Sequence, residues 1–237
     1  MCPSWARRKK KMRVLNLYAG IGGNRKLWTD CDVTAVEYDP NIAEIYKSNF
    51  PEDTVIIGDA HAYLLEHFQE FDFIWASPPC PTHSRLRTMQ KKIVYPDITL
   101  YQEIILLSFW HEGLYCIENV IPYYKPLIDP TYILHRHLFW CNFNIFYKEF
   151  ENLETCKKLN EREFLQGKIG FNVDGYDVDK RKVLRNCVLP ELGEHIFKEM
   201  KSASCAKKLG QKNNTKESLQ TAYNSASMQS AQYALEL

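Results

Sequence analysis

Three short groups in this 237-residue chain carry reactive side chains in an order that suggests one pocket. A Gly-rich turn, Tyr18-Ala19-Gly20-Ile21-Gly22-Gly23, follows an apolar run. Pro78-Pro79-Cys80 ends a second run, which starts at Phe71. Glu118-Asn119-Val120 ends a third. Two prolines stiffen the turn before Cys80 and hold its thiol at a strand edge. The thiolate is the reactive form, and nearby cations favour it. His83, Arg85 and Arg87 follow closely, so the expectation is a lowered thiol pKa. A thiolate can add to carbon 6 of a pyrimidine and make carbon 5 nucleophilic. A carboxyl at the end of an apolar strand tends to keep its proton. Glu118 can then donate to ring N3, accept from the exocyclic amine and stabilise the charge that thiolate attack develops. Arg136, in Leu134-His135-Arg136-His137-Leu138, is the further polar group expected to reach the pyrimidine O2, or else a surface phosphate. Asn119 is expected to hold the loop. The competing reading of Cys80 is a buried structural thiol, the commoner state of free cysteine. Cys116 and Cys141, inside apolar runs, are read that way.

The first turn supplies the second reactant's seat. Gly20, Gly22 and Gly23 let the backbone approach a ligand. The pattern is neither the dinucleotide fingerprint nor a P-loop, because GxGxxG and a following Lys-Ser/Thr are both missing. A nucleoside without a pyrophosphate fits it. Glu37, at the end of the second strand, can accept from both ribose hydroxyls. Tyr38 beside it can stack on an adenine. Asp59, before Ala60, either accepts from the adenine amino group or caps a helix.

These residues need a scaffold that brings loop ends together. Apolar β-branched runs at 13–18, 33–37, 54–57, 71–76 and 115–118 alternate with helical patterns at 24–28, 41–49, 60–68 and 100–110. Ile42, Ile45, Tyr46 and Phe50 keep helical spacing, as do Tyr101, Ile104, Ile105 and Ser108. Such alternation predicts an α/β fold with a doubly wound, mostly parallel sheet and its ligands at one edge. Beyond Asn119 a Pro- and Tyr-rich connection leads to an aromatic, strand-like stretch at 138–147. Residues 148–181 are charged and poorly periodic. Residues 190–208 read as a helix with Leu192, Ile196, Phe197 and Met200 on one face, followed by a Ser-, Asn- and Gln-rich tail. The expected organisation is a basic arm (1–12), a catalytic domain (13–142), a small recognition lobe (143–181), a returning segment (182–208) and a flexible tail (209–237).

Thirty Lys and Arg against 29 Asp and Glu leave a net charge of +1, so no global basic excess marks a nucleic-acid binder. Local clusters do: Arg7 to Lys11 with Arg13, and His83, Arg85, Arg87, Lys91 and Lys92 beside Cys80. Two clusters flanking a reactive site fit a phosphate backbone better than solvated faces. Eight cysteines show no CxxC or zinc-like spacing, so no metal is expected. The absence of a signal-like h-region or a membrane-length apolar run predicts a cytoplasmic protein; a monomer is expected.

Taken together, these motifs resemble the DNA (cytosine-5) methyltransferases, in particular small phage or orphan bacterial members. The residues that carry the resemblance are 16–23, Glu37, Pro78-Pro79-Cys80 with Ser84, Glu118-Asn119-Val120 and the stretch around Asn186-Cys187-Val188. The resemblance implies S-adenosylmethionine as cofactor. Its binders would be Tyr18, Ala19, Gly20, Gly22, Gly23, Glu37, Tyr38, Asp59, Ala60, Pro79, Asn186 and Val188. It implies Cys80, Glu118 and Arg136 as catalytic, and Ser84, Arg85, Arg87 and Asn119 as contacts to duplex DNA with a flipped cytosine. Pro81 stands where the family often has Gln, the usual Gln-x-Arg-x-Arg is reduced to Arg136, and the recognition region is short. An RNA-directed cytosine-5 methyltransferase would share these catalytic residues. A DNA-binding module without activity would not need Cys80 and Glu118 together. Amine methylation is excluded because the tetrapeptide is Ser77-Pro78-Pro79-Cys80 rather than Asp/Asn-Pro-Pro-aromatic.

Overall fold

The computed structural model describes residues 11–85, 94–150 and 161–210. Its frame is a seven-stranded sheet in the order β3-β2-β1-β4-β5-β7-β6. β1 (Met12–Leu17), β2 (Cys31–Glu37), β3 (Thr54–Ile57), β4 (Phe73–Ala76) and β5 (Leu114–Val120) run parallel; β6 (Tyr132–Leu134) and β7 (His137–Cys141) are antiparallel additions. The order reverses between β1 and β4. The loops leaving those two strands therefore diverge and open a crevice at the C-terminal edge, the usual ligand position in such sheets.

Both sheet faces are buried, so the central strands are apolar at nearly every position. Val14, Phe73, Trp75, Cys116 and Phe139 face one core, with Leu192, Ile196, Phe197 and Met200 of α6 (Pro190–Gly210). Leu15, Ile74, Ala76, Ile117 and Trp140 alternate onto the other, where α2 (Ala60–His67) and α3 (Thr99–Trp110) supply Leu64, Leu100, Tyr101, Ile104 and Leu107. The buried face of α3 is centred on Tyr101, Ile104 and Leu107 rather than on the expected set, since Ile105 is 44% exposed and Ser108 faces solvent. α1 (Pro40–Asn49) starts at an Asp39 cap whose side chain accepts from Asn41 N and Ile42 N.

The helix expected at 24–28 is a series of turns instead. Its side chains are committed elsewhere. Asn24 donates to Asn16 Oδ1 at 2.8 Å, Arg25 pairs with Asp53 at 2.9 Å, and Trp28 donates to the Gly193 carbonyl at 3.1 Å while stacking on Phe197. Two short helices were not expected, α4 (Glu161–Ile169) and α5 (Lys180–Arg185). Leu165, Ile169, Phe171, Val173, Val183 and Leu184 form a third core with Ile21 and Ile45. Phe143 and Ile145 join the core under α6. The described residues of 143–181 thus share cores with the sheet. Strand structure after β6 stops at Cys141, short of the expected stretch to 147. Lys91, Lys92, the arm up to Lys10 and the tail beyond 210 lie outside the described residues. No described helix is long and apolar enough to cross a membrane.

Gly193 shows how closely α6 meets this frame. A Cβ there would lie 2.7 Å from Asn24 Cα. Ala in place of a helix-interior Gly normally stabilises by about 1 kcal/mol. Here backbone overlap outweighs that gain, and Gly193→Ala is expected to destabilise by about 1–3 kcal/mol. A lowered urea midpoint is the expected result; an unchanged or raised one contradicts this packing.

Candidate active site

All the turns that matter leave the C-terminal edge. After β1 the chain passes through Tyr18, Gly20 and Gly22 with positive φ (56°, 55° and 87°). Gly20 N donates to Glu37 Oε2 at 2.8 Å, and Asp39 N donates to Glu37 Oε1 at 3.0 Å. Glu37 therefore ties the turns after β1 and β2 to each other. A Cβ on Gly20 would meet nothing within 4 Å, so this backbone borders open space. Gly22 and Gly23 are glycines for a different reason. A Cβ on Gly22 would overlap the Phe50 ring, and one on Gly23 would come within 2.5 Å of the Val188 carbonyl. The turn 186–188 does return to the first turn, with Asn186 exposed and Val188 buried. Tyr38 is 77% exposed. Asp59 caps α2 through Oδ1, which accepts from His61 N and Ala62 N.

Pro78-Pro79-Cys80 leaves β4, the strand next to β1. Asn119 is buried and donates to the Pro78 carbonyl at 3.0 Å, while Val120 N donates to its Oδ1. Its expected role as a nucleic-acid contact is thereby corrected: the side chain is spent on the loop. Cys80 is half-buried. Its carbonyl accepts from His83 N and Ser84 N, and Ser84 bridges to Pro122. Burial and the nearby Glu118 push the Cys80 thiol up, and the charge of Arg136 draws it down. The expected lowering by His83 and Arg85 is not observed. His83 is buried, held neutral by desolvation and bonded to Tyr124 Oη at 2.6 Å; Arg85 is exposed, and Arg87 lies outside the described residues.

Glu118 sits near the end of β5, 6% exposed. Burial raises its pKa to about 7, against a hydrogen bond from Ser77 and the charge of Arg136. Ser77 Oγ accepts from Trp75 Nε1 at 2.9 Å, which leaves its hydroxyl proton for Glu118. Thiol and carboxyl are thus coupled. A carboxylate at 118 disfavours a thiolate at 80, so a proton retained on Glu118 frees Cys80 to ionise. Arg136 is exposed, with Nη2 3.5 Å from the Arg185 carbonyl.

A buried polar cluster under the first turn escaped sequence reasoning. Glu103, on α3 and fully buried, accepts from Tyr18 Oη at 2.5 Å and meets His61 Nδ1 at 3.0 Å. Burial raises the Glu103 pKa despite these two partners, and the bond to Glu103 raises that of His61. The cluster clamps a residue held at positive φ, a conformation that favours Gly or Asn. A charged residue three past Leu100 and four before Leu107, inside an apolar helical arc, was the available signal.

Residues 12–120 match the family model for C-5 cytosine-specific DNA methylase. This segment is thus similar to that family. The chain is also 35% identical over 130 residues to the tRNA (cytosine(38)-C(5))-methyltransferase of Bos taurus, covering 52% of this chain and 29% of that protein. The human protein of the same name is 35% identical over 82 residues, 32% of this chain and 21% of its own length. The chain therefore spans less than a third of the curated relatives it matches. Among solved structures, Spodoptera frugiperda DNMT2 aligns at 25% identity over 46% of this chain and 35% of its own, with a TM-score of 0.34. S-adenosylmethionine is the methyl donor of the family. The residues present fit it: Gly20 leaves open space beside the Glu37 carboxylate, Tyr38 exposes a ring, and Asp59 stands at the next strand end.

Replacing Glu103 removes the acceptor under Tyr18. Glu103→Leu should orphan the Tyr18 hydroxyl, lower stability by about 1–3 kcal/mol and weaken S-adenosylmethionine binding. Urea unfolding and calorimetry check both. Wild-type values in each would assign the cluster no part in holding the turn.

Proposed function

We propose that this protein transfers a methyl group from S-adenosylmethionine to carbon 5 of cytosine in duplex DNA, with Cys80 as transient covalent nucleophile. The observation that supports it most is the pairing of a half-buried thiol after β4 with a buried, proton-retaining carboxyl at the end of the adjacent β5.

In this reading the cytosine is turned out of its stack into the crevice. The Cys80 thiolate forms an S–C6 bond. The C5=C6 electron pair becomes available at C5, and Glu118 places its proton at N3 as the ring charge changes. Glu37, Gly20 and Tyr38 hold the cofactor, which supplies an electrophilic methyl group when bound. Once C5 carries the methyl, loss of its proton to an ordered water restores the C5=C6 bond and expels Cys80 as thiolate, while N3 returns its proton to the Glu118 carboxylate. Arg136, which is exposed, is the group this reading assigns to O2 or a phosphate. Ser84 and Arg85 face the same substrate, with the basic arm adding sequence-independent contacts. A recognition region this short can place only a few side chains on base edges, which suits a short target site.

A second reading replaces DNA by RNA. It is favoured by the tRNA methyltransferases among the relatives. The two are separated by incubating the protein with labelled S-adenosylmethionine and either duplex DNA or tRNA. Label in DNA cytosines is the expected result, and label in tRNA alone moves the assignment to RNA. Cys80→Ala should lower transfer by about 10³-fold or more, and 5-fluorocytosine in the substrate should trap wild type as a denaturation-resistant adduct. An active Cys80→Ala protein, or no trapped adduct on either nucleic acid, overturns the covalent reading.

A further inference from the structure

Residue 137 lies one position past the arginine singled out from sequence; Arg136 is still in the turn, while His137 is the first residue of β7. Arg136 is exposed; His137 is 7% exposed. On the antiparallel pair of β5 and β7, Val120 stands opposite His137 and Glu118 opposite Phe139. Glu118 and His137 thus share one sheet face, diagonally adjacent. His137 Nδ1 lies 3.4 Å from Glu118 Oε1, and both side chains are less than a tenth exposed. Among the described residues this ring nitrogen has no hydrogen-bond partner. A buried nitrogen left unpaired is costly, so its position beside the reacting carboxyl calls for a reason.

We infer that His137 is a positioning residue for Glu118, donating from Nδ1–H to Oε1 so that the carboxyl proton is carried on the other oxygen, toward the substrate. The inference rests on the reading of Glu118 as the N3 proton donor. When Glu118 passes its proton to N3, the O–H bond breaks, an N3–H bond forms and the carboxylate is left with the negative charge. The His137 bond then becomes charge-assisted and strengthens at the moment the charge appears. That is the differential stabilisation that speeds a step.

The groups bearing on this pair agree with a neutral donor. Burial and then Arg136 hold the imidazole down to about 3, so it does not bring a cation to the carboxyl. Glu118 is further influenced by Ser77 from the end of β4 and by Arg136. Cys80 and Cys116 are the thiols that sense its charge, and His135 faces His137 from the turn before β7. A fixed cation at 137 would favour the carboxylate and strip the acid of its proton.

The sign of the test follows from this. Turnover needs protonated Glu118, so kcat falls as pH rises through its pKa. His137→Phe removes a donor that favours the ionised form. The alkaline limb should move to higher pH while kcat drops about tenfold or more. His137→Arg should move the limb to lower pH. His137→Asn, which keeps an N–H near the same place, should stay close to wild type. KM for S-adenosylmethionine should be unchanged throughout. If His137→Phe does not fold, the opposite placing of the Arg and Asn limbs still decides. Limbs that coincide in all folded variants overturn the inference. Glu118→Gln, measured alongside, separates the two claims. If it turns over like wild type, the reading of Glu118 itself fails. If it is inactive while the His137 limbs coincide, only the role of His137 fails.

Discussion

The site depends on one desolvated carboxyl. Glu118 is buried near the end of a central strand, where ionisation is unfavourable because little water can solvate the charge. Its residual hydrogen bond from Ser77 and the distant guanidinium of Arg136 offset burial only in part, and its pKa stays near 7. In the proposed reaction that balance lets one group act as an acid toward a ring nitrogen, and it also bears on the neighbouring thiol. Among the described residues, the charge of Arg136 draws the Cys80 thiol down. Burial holds its pKa up, and what limits its ionisation further is the charge on Glu118 itself. Keeping the carboxyl neutral is therefore a condition for both chemical roles.

The sheet makes this balance possible. Parallel strands end together at one edge, and the reversal between β1 and β4 opens the crevice there. Glu37 joins the first two strand-end turns, Asn119 fixes the loop before Cys80, and the Tyr18–Glu103–His61 cluster holds the first turn from beneath. Each contact comes from a different strand or helix. The precision of the site is thus a property of the packed domain and not of any loop alone.

Sequence patterns revealed the chemistry more readily than its supports. Cys80, Glu118, Glu37 and Gly20 stood out because each follows an apolar run with a residue type that is costly or unusual there. The parallel strands and long helices were legible from alternation and helical spacing. The segment at 24–28 was misread because Asn24, Arg25 and Trp28 obey long-range partners, Asn16, Asp53 and Gly193, that local periodicity does not see. α4 and α5 are short and charged, with few apolar positions. Their helicity comes from packing on Ile21 and Ile45. Arg136 drew attention by charge alone. Only the register of β7 shows that its neighbour His137 is the inward residue.

The central claim is that Glu118 retains its proton in the free, folded protein. Carbon-13 NMR of carboxyl-labelled protein, with Glu118→Gln to identify the resonance, reads this directly. The account predicts a titration midpoint near 7 for Glu118. A midpoint in the ordinary glutamate range of about 4.3 would contradict it.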